Sequence, residues 1–409
     1  MTSVSASTAH TVRVLGFIGS AHFMSHVFNL ALPPLFPLLV QDTSLSYTEL
    51  GFVMTAYALA GALFTTPMGF LVDRWGGRTV LTLGLALQSG AILAVGFVSS
   101  FWAMLALFVL AGVAYSVYHP SDYAILSASI ARERLGRAFS FHAFSGNTGS
   151  AATPPVMVGI AALWDWRVAM IAVGIFGLCL AALILLQGDS LSDGADEPRK
   201  KKKEESAGGG FRQDFRVLLY PPILLCFLFY VISSIGFGGF RAFSVAGIVE
   251  LYGTPLAAAS GALTGFLVGS SAGILAGGWV ADRFGAKMIT AAAGFLTAAA
   301  LIAFTGTVSM PMVLMVAVLS AAGFMRGMVQ STRDLFVLSV TPAGSTGKVF
   351  GFVNNGALVG AAIMPLVFGL ALDNGNPQGV FYLTAGFMTL ALCTFFGVKQ
   401  LAANRGEGS

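Results

Sequence analysis

The chain has 409 residues, 56% of them hydrophobic and only 10% charged, with a mean hydropathy of +0.81. Soluble domains carry about a quarter charged residues, so an ordinary soluble globular protein is excluded. The net charge of +4 does not point to nucleic acid, because the basic residues sort by topology, as set out below.

Twelve apolar segments follow one another, each long enough to cross a bilayer as a helix of about 20 residues. They are predicted at roughly 13–40, 47–72, 79–98, 101–129, 138–162, 167–187, 217–249, 256–281, 287–307, 310–340, 348–372 and 379–401. Lipid gives backbone polar groups no partner, so helices must dominate. The 50 glycines suit close packing between them. The three cysteines, Cys179, Cys226 and Cys393, neither pair in sequence nor space like metal ligands, which predicts packing roles.

A polar N-terminus with the single cation Arg13 leads into the first segment, and no cleavage site follows a short apolar core, so no removable signal peptide is expected. That segment carries His22 and His26, four apart and therefore on one helix face, with Asn29 beyond them. The fourth segment is uncharged from Phe101 to Tyr118, with Tyr115 available to a polar lining, and then presents His119, Pro120 and Asp122. Pro120 lacks an N–H, which predicts a kink there and a hinge for a gate. His119 and Asp122 are three apart, and an imidazole ordinarily titrates near neutral pH; either group could carry a coupling proton. His142 in the fifth segment is expected to be a packing histidine. The stretch GDSLSDGADEPRKKKKEESAGGGFRQD (188–214) reads as a solvated linker, separating residues 1–187 from residues 215–409. Past it, Arg241 falls in the seventh segment. Arg326, Gln330 and Arg333 form a polar stripe at i, i+4, i+7 along the tenth, with Asp334 adjacent.

Of the 22 basic residues, Arg241, Arg326 and Arg333 lie inside spans. With Met1 inside, Arg167 alone reaches the outer side, so both termini are predicted to be cytoplasmic. The two halves also repeat. GFLVDRWGGR (69–78) matches GGWVADRFGAK (277–287), and RAFSFHAFSGNTGSAATPP (137–155) lies over KVFGFVNNGALVGAAIMPL (348–366), with Pro154 over Pro365. Related bundles around a midplane site are an architecture of secondary transporters.

The loop motif, carried by Gly69, Leu71, Asp73, Arg74, Gly76 and Arg78 and again by Gly278, Asp282, Arg283, Gly285 and Lys287, resembles the signature loop of the major facilitator superfamily. The resemblance implies an all-α membrane protein, twelve helices in two pseudo-symmetric six-helix bundles, with these loop residues taking part in gating beside the Pro120 hinge. A narrower likeness, on His22, Tyr118, His119, Pro120, Asn147, Gly149 and Ser150, is to the fosmidomycin-resistance branch; the chain departs from it with Ser121 where that branch usually has Glu, and by adding His26 and Asp122. In the superfamily, helices 1, 4, 7 and 10 line the central cavity, and most of the interior polar residues here fall on those four.

Ionisable residues inside spans are functional candidates. Arginine keeps its proton and needs an anion. Asp122 and Asp334 can serve two of the three interior arginines, which leaves one for an anionic substrate held by a guanidinium fork; structural pairing, or Arg241 reaching toward the interface, is the alternative. The expected substrate residues are His22, His26, Asn29, Tyr115, Arg241, Arg326, Gln330 and Arg333, and the expected proton carriers His119, Asp122 and Asp334. The function expected is proton-coupled alternating-access transport of a small organic anion or fosmidomycin-like drug, by a monomer in a bacterial inner membrane. No phosphate-binding loop is visible, which argues against ATP, and no cofactor or nucleic acid is expected. The alternative is a divalent-metal or metal-chelate carrier using His22, His26, His119 and Asp122. A receptor that binds without translocating and an intramembrane enzyme are the readings from other classes; no nucleophile or zinc constellation beyond the histidines suggests an enzyme.

Overall fold

The computed structural model of the protein describes residues 8–131, 134–188, 191, 218–284, 288–342 and 346–406. Among the described residues every element is helical. In order these are α1 (Thr8–Leu30), α2 (Phe36–Thr43), α3 (Tyr47–Trp75), α4 (Gly77–Val95), α5 (Phe101–Tyr115), α6 (Tyr118–Ser129), α7 (Leu135–Leu163) and α8 (Trp166–Gln187). Past residue 218 come α9 (Pro221–Tyr252), α10 (Leu256–Phe284), α11 (Met288–Thr307), α12 (Met312–Ser339), α13 (Thr346–Asp373) and α14 (Gln378–Gly406). They amount to the twelve spans expected, because α1 with α2, and α5 with α6, each form one interrupted span. Nine of the spans meet a strict measure of length and apolarity among the described residues; Ala292–Thr307 and Gln378–Thr394 are shorter apolar helices.

Both interruptions come from proline. Pro33 and Pro34 cannot donate to the helical ladder, and the chain takes a buried 3-10 turn at Pro33–Leu35 before α2 begins. In the fourth span the break is not at Pro120, as the sequence suggests, but four residues earlier. Pro120 sits in the first turn of α6, where a missing N–H costs nothing. The carbonyl it would have served is that of Ser116, and the chain turns at Ser116 and Val117.

The chain divides into two compact units, one of Met1–Leu45 with Phe52–Lys201 and one of Ser46–Gly51 with Lys202–Ser409. In the first, α1 packs on α7 and α4 on α8; in the second, α9 packs on α13 and on α14. The sequence repeat therefore extends to packing. Gly149 of α7 lies against the Phe23 carbonyl of α1, and its counterpart Gly360 of α13 lies against the Val231 carbonyl of α9. In the second unit Asp373 accepts from the backbone N–H groups of Tyr47 (2.8 Å) and Thr48 (3.1 Å) at the start of α3, and Tyr47 donates its hydroxyl to Glu250 at 2.8 Å. In the first unit, Arg167 pairs with Asp42, donates to Ser99 at 2.7 Å and covers the Trp166 ring at 4.3 Å.

Among the described residues, α10 and α12 approach each other closely. Gly265, Gly269, Gly273 and Gly277 recur every fourth residue on α10, and the last three abut the carbonyls of Ser320, Phe324 and Met328; from α12, Gly323 and Gly327 abut those of Phe266 and Ser270. Backbone thus meets backbone, the arrangement that small residues permit between membrane helices. Gly323→Ala is expected to lower stability by about 3 kcal/mol, the upper end of overpacking penalties. Gly261→Ala, also on α10 but with nothing within 4 Å of the added carbon, should leave it unchanged. Thermal unfolding of the two purified variants checks both.

Candidate functional site

In the first unit the polar residues of α1, α6 and α7 converge on Asp122. The α7 stretch Ser145-Gly-Asn-Thr-Gly-Ser150 makes the room. A side chain at Gly146 would come within 2.7 Å of His26 Nε2 and 2.8 Å of His22 Nε2, so glycine admits both rings. His26 is then held at Nδ1 by the Ser150 hydroxyl, 2.9 Å away. One turn before Gly146, His142 stacks flat on His22, ring centres 3.6 Å apart.

Asp122 is 0% exposed. Its Oδ2 lies 2.9 Å from His142 Nε2 and 3.4 Å from His22 Nδ1. Its Oδ1 has no hydrogen-bond partner among the described residues. An unsatisfied carboxylate oxygen away from water is expensive. His119, one turn before Asp122 on α6, is exposed; its ring centre is 5.4 Å from that of His22 and 5.9 Å from that of Tyr123.

Two expectations change here. His142 is not a packing histidine but the nearest partner of Asp122. Asp122 serves imidazoles rather than an arginine. Asn29 and Tyr115, expected to join the polar lining, gather around Tyr57 of α3. Asn29 hydrogen-bonds to the Tyr57 hydroxyl, Gln88 of α4 donates to the same hydroxyl at 3.0 Å, and the Tyr57 and Tyr115 rings lie 5.4 Å apart. Tyr57 and Gln88 were missed; the only signal in the sequence was a hydrogen-bonding group in each of two apolar spans.

In the second unit the stripe on α12 lines a cavity of about 290 Å³, with Arg326, Gln330 and Arg333 all in its wall. The Arg326 guanidinium lies 3.6 Å over the Phe237 ring and donates to Ser270 of α10 at 3.2 Å. Arg333 lies 4.6 Å over the Tyr230 ring. Ser233 and Asn354 also face the cavity, and the Ser233 hydroxyl has no partner among the described residues. Aromatic faces orient the guanidiniums, which keep their own charge. Arg241 is half-buried on α9 and is not part of this wall. The side chain of Asp334 lies outside the described residues.

Of the loop motif, Gly76 has φ 83° and turns the chain between α3 and α4, a conformation that favours glycine. Arg78 donates to the Leu185 carbonyl at the end of α8, 2.9 Å away. Gly69 lies in α3, and Asp73 and Arg74 are exposed in its last turn. In the second copy Arg283 lies 5.8 Å over Trp279; Gly285 and Lys287 lie outside the described residues, as do the side-chain surroundings of Gly278 and Asp282.

A family model described as Major Facilitator Superfamily matches residues 18–247 and 226–407. The chain is 23% identical to the fosmidomycin resistance protein of Escherichia coli, over 94% of this chain and 92% of that one. It is 28% identical to a probable nitrate/nitrite transporter of Mycobacterium tuberculosis, over 88% and 90%. It is 24% identical to a membrane sensor protein of Escherichia coli, over 92% and 89%. Among solved structures, a bacterial homologue of the human lysosomal transporter Spinster, inward-facing and occupied, superposes with a TM-score of 0.77 at 14% identity, over 96% of this chain and 98% of that one.

The Asp122–His142 contact makes a measurable claim. Asp122→Asn and His142→Gln should not add, because each removes the same buried hydrogen bond. Thermal unfolding of the two single variants and the double variant is expected to give a coupling energy of about 1–3 kcal/mol.

Proposed function

The chain belongs to the Major Facilitator Superfamily and is a multi-pass membrane transporter rather than an enzyme; from that premise we propose that it moves a small organic anion by proton-coupled alternating access. The observation that carries the anionic substrate is the α12 cavity. Two guanidiniums, stacked on Phe237 and Tyr230, share one wall with the amide of Gln330 and the hydroxyl of Ser233. Fixed planar cations beside neutral donors match a carboxylate or a phosphoryl-type group, which accepts paired hydrogen bonds. Nitrate and nitrite, which one relative is named for, are anions as well.

The proton's station is the Asp122–His142 hydrogen bond. It is buried, and His119 offers an exposed imidazole on the same helix. A proton arriving at His119 has His22 and His142 as its next neighbours. The loop residues Asp73, Arg74, Arg78, Asp282, Arg283 and Lys287 act with the Ser116–Val117 break as gating elements. The distribution of basic residues supports an orientation with both termini cytoplasmic, and the bacterial relatives support an inner-membrane location.

The likeness to a membrane sensor protein favours one second reading, binding without translocation. Flux separates the two. In proteoliposomes with an imposed pH gradient, a panel of small carboxylates, phosphonates and nitrate is expected to include an accumulated anion. Arg326→Gln should weaken its half-saturation about 10–100-fold, the loss of a hydrogen-bonded charge partner. Asp122→Asn should abolish gradient-driven accumulation while leaving exchange across the membrane. Accumulation indifferent to Arg326→Gln and Arg333→Gln overturns the anionic reading, and saturable binding with no flux supports the sensor.

A further inference from the structure

We infer that His22, His119 and His142, with Asp122, form a binding site for one divalent transition-metal ion within the first unit. Three helices supply the ligands: α1, α6 and α7. One ligating atom from each histidine lies within 4.8 Å of the others. Nitrogens around a tetrahedral zinc ion, at about 2.0–2.1 Å from the metal, stand about 3.4 Å apart. Closure therefore requires a shift of roughly 1–1.5 Å in the widest pair. His119 is exposed and is the ligand able to swing, whereas His22 and His142 are each 3% exposed and stacked on one another.

A second observation points to a cation independently of that convergence. Asp122 is fully buried with one oxygen unpartnered among the described residues, and the groups that approach its other oxygen are imidazoles. Neutral imidazoles are good ligands but poor counter-charges. A dication at the histidines supplies the counter-charge that neutral imidazoles do not give Asp122. The carboxylate then does what carboxylates do beside metal-bound histidines: it orients the ring and raises its basicity.

The donor set selects the ion. Imidazole nitrogens with one carboxylate suit Zn²⁺, Co²⁺ or Ni²⁺ and disfavour Ca²⁺ and Mg²⁺, which require oxygen cages. The ligand set also differs from the one the sequence suggests. His26 has its Nδ1 engaged by Ser150 and is replaced by His142. The site does not depend on the anion cavity of the second unit. It shares its residues with the proposed proton station, so ion and proton exclude one another there.

The test is titration of the full-length chain, purified in detergent without a histidine tag, with Co²⁺ as the probe. Expected are the visible absorption bands of low-coordinate cobalt, saturating at one ion per chain and erased by Zn²⁺ but not by Mg²⁺. His22→Ala and His119→Ala should each remove the bands, and Asp122→Asn should weaken binding about 10–100-fold. His10→Ala, on the polar N-terminal turn, should change nothing. Because His119 is exposed, His119→Ala is expected to fold, and its unfolding temperature is measured alongside. Absence of saturable bands in the unaltered protein, or their persistence in both His22→Ala and a folded His119→Ala, overturns the site. Neither result depends on any transported anion.

Discussion

In hydrocarbon a backbone amide has no water to fall back on, and each unpaired one costs several kcal/mol. The helices of this protein are long because of that demand, and the few places where the ladder fails are correspondingly informative. Pro33 and Pro34 break the first span and Pro120, acting through Ser116, breaks the fourth. Both breaks fall in spans that carry the histidine cluster, one helical segment on from His26 and a single turn before His119. Irregular backbone at membrane depth is tolerated where it is covered by protein or lines a cavity, and the residues of the first break, Pro33 to Leu35, are buried in the protein.

Glycine solves two different problems in this fold. On α10 and α12 its role is subtraction along a line: removing every fourth side chain lets carbonyls of one helix touch the other. On α7 it is subtraction at a point, since Gly146 opens the space that two imidazole rings fill. The first use stiffens a helix pair. The second lets charged chemistry be buried without forcing the helices apart.

The spans were legible in the sequence because length and apolarity are properties of one segment, and so was the Arg326, Gln330, Arg333 stripe, whose spacing lies along a single helix. What could not be read was whatever depends on two helices meeting. His142 is separated from Asp122 by a loop and a turn, and no spacing rule links them. Phe237 and Tyr230 are two among many aromatics until α9 is placed beside α12. Asn29 and Tyr115 were identified as polar lining, yet their common partner Tyr57 belongs to a third span. Pro120 was recognised as a breaker, but the effect appears four residues upstream, where the missing donor would have bonded.

The glycine contact between α10 and α12 bears on how the protein is made. The two helices are separated in the chain by α11, so α12 reaches the bilayer after α10 is in place. It carries Arg326 and Arg333, and an arginine near the middle of an isolated membrane helix costs about 2.5–3.5 kcal/mol on insertion scales. The groove of bare backbone on α10, with the Ser270 hydroxyl waiting for Arg326, is a ready berth for such a helix. Synthesis order thus matches chemical need: the hospitable partner is laid down first, and the helix that lipid tolerates least arrives second.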